Sequence, residues 1–157
     1  LLIFTFAVRI VRVSGESMRE TLQDGDILVA VSRYLAGDLE QGDIVIVRDA
    51  YFKDGQPIVK RVIAVGGQTV DIDYDAGTVA VDGQVLDEPY IHEAMLCPTY
   101  ENQTHIEVPE GSIFVMGDNR NNSTDSRDSR LGIVDERCIL GHVLRVVFPF
   151  SEFGSVE

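Results

Sequence analysis

The sequence predicts a mainly β fold made of antiparallel sheets, on three grounds. Short runs of Val and Ile recur along the chain, Gly and Asp punctuate them, and no segment carries a long 3.6-residue apolar period. With 157 residues and 45% apolar content the chain makes about one domain with a real core, and disorder is excluded for its bulk.

Taken in order, Leu1 to Val8 is mostly apolar and uncharged. A bilayer span needs roughly twenty such residues. The segment therefore reads equally as the last turns of a transmembrane helix or as an N-terminal strand, since Phe, Ile, Val and Thr also favour β structure. Asp24-Gly25-Asp26 opens a strand over Ile27 to Val31, and a short helix is expected around Val31 to Leu39. Gly42-Asp43 opens Ile44 to Val47, and the next strand runs from Ile58 to Val65. Hairpins follow over Val70 to Val85, turning at Asp75-Ala76-Gly77 and Asp82-Gly83. Ser112 to Met116 and Gly141 to Phe148 complete the series.

The formal net charge of −13 speaks against general nucleic-acid binding, which needs cations against phosphate, and against an anionic membrane meeting the whole surface. Cys97 and Cys138 are too few for a disulfide scaffold and lack zinc spacing, which leaves one disulfide open. From Asp71 to Glu110 the chain carries ten acidic residues and no Lys or Arg, as an excursion from the core would. Asp71-Ile72-Asp73-Tyr74-Asp75 invites a calcium-loop reading, but Ala76 and Asp82 stand where such a loop wants Gly and Glu, so solvent-facing Asp on a strand is the better reading. His92, His105 and His142 form no metal or triad pattern.

Three features carry chemistry. Only two lysines are present: Lys53 beside Asp54-Gly55 in a polar turn, and Lys60 inside an apolar strand. Alternation puts Lys60 on one face with Ile58, Val62 and Ala64, a setting that desolvates an ammonium and lowers its pKa from about 10.4. Such an amine can accept a proton near neutral pH, although a strand lysine more commonly snorkels to water or pairs with a carboxylate. The Gly-containing turn Ser14-Gly15-Glu16-Ser17-Met18 can expose a hydroxyl and a backbone N–H together. Serine needs a nearby base to become a nucleophile, while its commoner use in turns is capping. Finally, Gly117 to Arg127 holds no large apolar residue. It is either an ordered loop whose polar groups bond one another or a solvated surface loop.

Together these segments resemble the bacterial type I signal peptidases, membrane-anchored Ser-Lys endopeptidases. Ser14 to Leu22 resembles the nucleophile motif, Gly42 to Val45 a structural motif, Lys60 to Gly67 the general-base motif, Gly117 to Arg127 the family's distinctive loop, and Gly141 to Phe150 its C-terminal segment. The resemblance implies Ser17 as nucleophile and Lys60 as general base, with Met18 shaping the site. It further implies Ser123 hydrogen-bonded to the lysine, Asp125 and Arg127 bracing the loop, and Arg61 and Asp118 as further supports. Ile58, Val62 and Ala64 would line the substrate pocket, and the Ser17 N–H would serve the oxyanion. Glu20 stands where the family usually has Pro, and Gly15 where some members place a second oxyanion hydroxyl.

On this resemblance residues 1–13 are the remnant of a transmembrane anchor with a lead-in strand. Residues 14–157 form the catalytic β core, with an acidic β-rich insertion at about 68–112. Implied partners are preprotein signal peptides cut after Ala-X-Ala, the lipid membrane and the export machinery, with no nucleic acid, cofactor or metal, and the catalytic part outside the cytoplasmic membrane. Two rivals stand beside it. A self-cleaving repressor uses a similar Ser-Lys pair but needs a DNA-binding domain and a cut site, and only sixteen residues precede Ser17. A non-catalytic acidic β-domain or inactive paralogue would keep the motifs as structure alone.

Overall fold

The structure, a computed structural model, describes residues 7–97, 103–148 and 154–155. Strands β1 (Val8–Arg12), β2 (Ile27–Ser32), β3 (Ile44–Val47) and β4 (Ile58–Val65) come first. They are followed by β5 (Thr69–Asp73), β6 (Thr78–Val81), β7 (Gln84–Val85) and β8 (His105–Glu107). The last are β9 (Ser112–Met116), β10 (Val134–Asp135), β11 (Ile139–Phe148) and β12 (Gly154–Ser155). They form two sheets, a larger one in the order β1-β2-β11-β3-β4-β9-β10 with β12 beside β11, and a smaller one in the order β7-β6-β5-β8. All the pairings are antiparallel. Mainly β structure in antiparallel sheets is what the punctuated β-branched runs require.

Burial follows position in the sheet. All four residues of β3 are buried between β11 and β4, whereas β2 alternates, sending Leu28 and Ala30 inward. Between Val62 and Ala64 the β4–β9 register shifts, so the alternation of β4 is broken there. Val62 consequently packs with Val45, Val47 and Ile58, while Ala64 joins Val70, Val79 and Phe114 in the core of the smaller sheet.

The helix expected around Val31 to Leu39 is a single turn, α1 (Arg33–Ala36). Val31 is held in the β2 ladder opposite Val8 and His142, and Gly37, at φ 87°, ends the turn. Val8, assigned with the anchor remnant, is the first residue of β1. Residues 1–6, which hold most of that expected remnant, lie outside the described residues. No helix among the described residues is long and apolar enough to cross a membrane. Cys97 and Cys138 are not joined by a disulfide.

Part of the acidity of the 71–110 segment has a local cause. Asp73 accepts from the N–H groups of Asp75 and Ala76 and closes the β5–β6 turn. Asp82 accepts from Thr69 N at 2.8 Å and Gln68 Nε2 at 3.0 Å. Asp82 and Gly83 both have positive φ, 50° and 78°, the sign pattern of a two-residue type I′ hairpin. Such turns favour short polar residues and glycine, and Asp82-Gly83 supplies both.

Candidate active site

The site lies where the 14–22 turn, β4 and the 117–127 loop meet. The turn is anchored from below by Met18 and Leu22, both buried with Leu28, Ile44 and Ile46. From the side, Asn119 N donates to Ser17 O at 3.0 Å and Asn119 Nδ2 to Glu16 O at 3.1 Å. Gly117 makes this approach possible. A Cβ there would stand 2.4 Å from Ser17 O and 2.3 Å from Ser123 Oγ, distances no side chain tolerates.

Against this turn β4 presents Lys60, which is buried, as the apolar strand predicts. Its Nζ lies 2.7 Å from Ser17 Oγ and donates to Val59 O at 2.8 Å. Burial lowers the Lys60 pKa from 10.5 to about 8, aided by the Lys53 and Arg127 charges and opposed by Asp125 and Asp118. At pH 7 the neutral fraction therefore rises from about one in 3,000 to about one in ten. An amine so placed can take the hydroxyl proton of the serine it touches.

Ion pairs hold the polar loop. Asp125 is fully buried and meets Arg127 through Nε at 2.8 Å and Nη2 at 2.9 Å, while accepting from Gly117 N at 2.9 Å. Burial alone raises the pKa of that carboxyl. The Arg127 hydrogen bonds and charge, the Gly117 N–H and the Ser123 hydroxyl outweigh it, and the net shift is downward. Arg61 meets Asp118 bidentately at 2.9 and 2.8 Å, donates to Gly42 O, and lies with its guanidinium 3.9 Å from the centre of the Tyr90 ring. Thr21 Oγ1 also donates to Asp118, which ties the 14–22 turn to the loop.

The expected Lys60–Ser123 hydrogen bond is not formed. Ser123 Oγ is buried beside Gly117, close enough to Asp125 to act on its pKa but with no partner at ordinary hydrogen-bond geometry, and the amine turns to Ser17 and Val59 instead. The substrate-pocket assignments also divide. Ile58 borders the small cleft beside Ser17, together with Val13, Met18, Pro57 and Val59. Val62 stays in one core with Ile58 but is fully buried there among Val45 and Val47, and the register shift after Val62 moves Ala64 into the core of the smaller sheet.

Several supports went unassigned in the sequence. Arg120 and Glu88 form a buried bidentate pair, with Nη1 donating to Oε2 at 2.8 Å, and so pin the insertion to the polar loop. His92 Nδ1 and Glu20 Oε1 are 2.6 Å apart, and His92 N donates to Asp118 O at 3.1 Å. Glu20 thus links the 14–22 turn to the insertion, and the Arg19–Glu20 peptide is cis. Burial, reinforced by Glu88, pushes the Tyr90 phenol well above its ordinary range. Asn119, Arg120 and Glu88 were all visible as residues, but nothing in their spacing marked them as buried partners.

With this geometry in view, the comparisons with known proteins agree with one another. The family model "Signal peptidase, peptidase S26" matches residues 1–148. The chain is 39% identical to "Probable signal peptidase I-1" of Synechocystis sp., over 92% of this chain and 73% of that protein. It is likewise 39% identical to "Signal peptidase I" of Bacillus licheniformis, over 100% of this chain and 86% of that one. A crystal structure of a signal peptidase I from Enterococcus faecalis superposes with a TM-score of 0.52 at 28% identity, covering 68% of this chain and 97% of that one.

Proposed function

The chain belongs to the signal peptidase family, peptidase S26, and on that premise we propose that it is a serine endopeptidase that removes signal peptides from exported preproteins, with Ser17 as nucleophile and Lys60 as general base. The observation that carries this reading is the 2.7 Å contact between Ser17 Oγ and a buried lysine amine of lowered pKa. In the proposed reaction neutral Lys60 accepts the Ser17 proton as Oγ bonds to the scissile carbonyl carbon, and the Ser17 N–H donates to the developing oxyanion. Collapse breaks the C–N bond, and Lys60 returns the proton to the leaving amine. A water then loses a proton to Lys60 as it attacks the acyl carbon, the acyl C–Oγ bond breaks, and Lys60 returns the proton to Ser17 Oγ. Asp125–Arg127 and Arg61–Asp118 act as positioning pairs that hold the loop against the nucleophile turn.

Small residues one and three places before the cut fit the cleft bordered by Val13, Met18, Ile58 and Val59, which encloses only about 80 Å³. A membrane anchor at the start of the chain, an extracytoplasmic catalytic part and contact with the export machinery belong to the same proposal. They are supported by the apolar Leu1 to Val8 and by Ile10 of β1, which is 74% exposed.

The test is cleavage of a preprotein with Ala at both positions, in detergent, by the parent and by Ser17→Ala. Cutting after the second Ala by the parent alone is expected. No cutting by the folded parent, with no reaction of Ser17 towards an acylating probe, would favour a non-catalytic domain. A second expected outcome concerns pH. Because the Lys60 amine must be neutral to act, kcat/KM rises with pH and levels off above about 8, falling about tenfold per unit below it. A profile flat down to about pH 5 would contradict a lysine base.

A further inference from the structure

Two clefts meet at Ser17, and their walls differ in chemistry. The smaller sets the apolar side chains of Val13, Met18, Ile58 and Val59 beside the charged Arg12 and Lys60. The larger, about 350 Å³, is polar and runs between the 14–17 turn and the loop residues Asn121 to Thr124. If the small apolar residues before the cut occupy the first, the chain after the cut leaves Ser17 through the second. Lys53 borders both clefts. We infer that Lys53 is a specificity-determining residue that selects preproteins carrying a carboxylate side chain at the first or second residue after the cut. This rests on the peptidase reading above and adds a substrate preference to it.

Lys53 is held where such a role needs it. Its turn is anchored by buried Phe52, closed by Gly55 N donating to Phe52 O, and clamped by Arg48 Nε donating to Gly55 O at 2.9 Å. Lys53 and Asp54 both adopt the left-handed region, at φ 47° and 55°, a conformation that side-chain-bearing residues rarely hold. The Lys53 side chain is exposed, and its ammonium lies 5.6 Å from the centre of the Phe52 ring. Among the described residues it forms no ion pair, in a chain with twice as many acidic as basic residues. The other charged residue on the polar wall, Glu16, also borders a separate depression with Arg19 and Gln23. Lys53 is also close enough to Lys60 for its charge to act on that amine, which puts the cation within electrostatic reach of the reacting atoms.

The test compares kcat/KM for preproteins that differ only in Glu or Gln at the first and second residues after the cut. Measurement at about pH 9 keeps Lys60 of the parent mostly neutral, and the Glu/Gln ratio within one enzyme cancels any change in the base common to both substrates. The parent should favour Glu by about three- to fivefold at low salt, the range of exposed charge pairs. Lys53→Gln should bring the ratio to about one, and Lys53→Glu should invert it. High salt should shrink the parent ratio, since the pair is open to solvent. A parent ratio of one, or a preference for Glu that survives in Lys53→Gln, overturns the assignment while the peptidase reading stands. If the parent cuts none of the substrates, the peptidase reading fails and takes this one with it.

Discussion

Replacing Lys60 by Arg is expected to abolish measurable turnover, a loss of about a hundred- to ten-thousandfold or more. In the proposed mechanism the amine acts because it can lose its proton: burial brings its pKa to about 8, within reach of neutral pH. A guanidinium stays charged, so it cannot accept the Ser17 proton at any pH the fold survives. Lys60→Met separates chemistry from folding. Its side chain suits the apolar setting beside Ile58, needs no desolvated charge, and should leave the melting temperature within a few degrees of the parent while activity is lost equally. Purified Lys60→Met and Lys60→Arg, compared with the parent on the Ala-X-Ala preprotein from pH 6 to pH 10, provide the measurement. An arginine variant that retains turnover would remove Lys60 from the role of base.

Breaking the Arg61–Asp118 pair should have the largest effect on stability. Both side chains are about 2% exposed or less, and the bidentate contact is supplemented by Gly42 O, Thr21 and the Tyr90 ring. Asp118→Leu leaves a guanidinium buried without its carboxylate, which costs about 3–5 kcal/mol, a large part of the 5–15 kcal/mol that holds a typical domain. The double variant Arg61→Met, Asp118→Leu removes both charges and should recover at least half of that loss, because the penalty lies mostly in the orphaned charge. Urea unfolding of the parent, the single variant and the double variant gives the comparison. Equal destabilisation of single and double variants would mean that the pair itself, and not the stranded charge, supplies the stability.

The resemblance and the family agree because the motifs are local. The Ser17 turn, the Lys60 strand and the Asp125-Ser126-Arg127 run each declare themselves within a few residues, and each places its group through local geometry. The apolar run from Ile58 to Val65 sufficed to mark Lys60 for burial, since a β-branched strand in the middle of a sheet has both faces covered. Alternation along the same strand misplaced Ala64, because a register shift against β9 depends on a partner strand 50 residues away and leaves no mark in β4 itself, while Val62 kept its face and was covered by Val45 and Val47 of the neighbouring β3. Ser123 went astray for a similar reason. The partners of a turn hydroxyl are those the fold brings near it, and here Lys60 Nζ donates to Ser17 and Val59 while Ser123 Oγ is buried against Gly117.

What the sequence determined by itself was the β character, the order of the strands in the chain, the turn chemistry at Asp82-Gly83, and which serine and lysine were worth attention. These rest on propensity, periodicity and φ preference, all of which act over a few residues. Tertiary structure alone decided the order of the strands in the sheets, the ties from Glu88 to Arg120 and from Glu20 to His92, and the position of Lys53 between two clefts. Those contacts join residues 32 to 72 positions apart. An ion pair across such a distance is invisible in a sequence, where a glutamate bound for a buried arginine and one bound for water carry the same letter. Only packing, by excluding water from one and not the other, separates them.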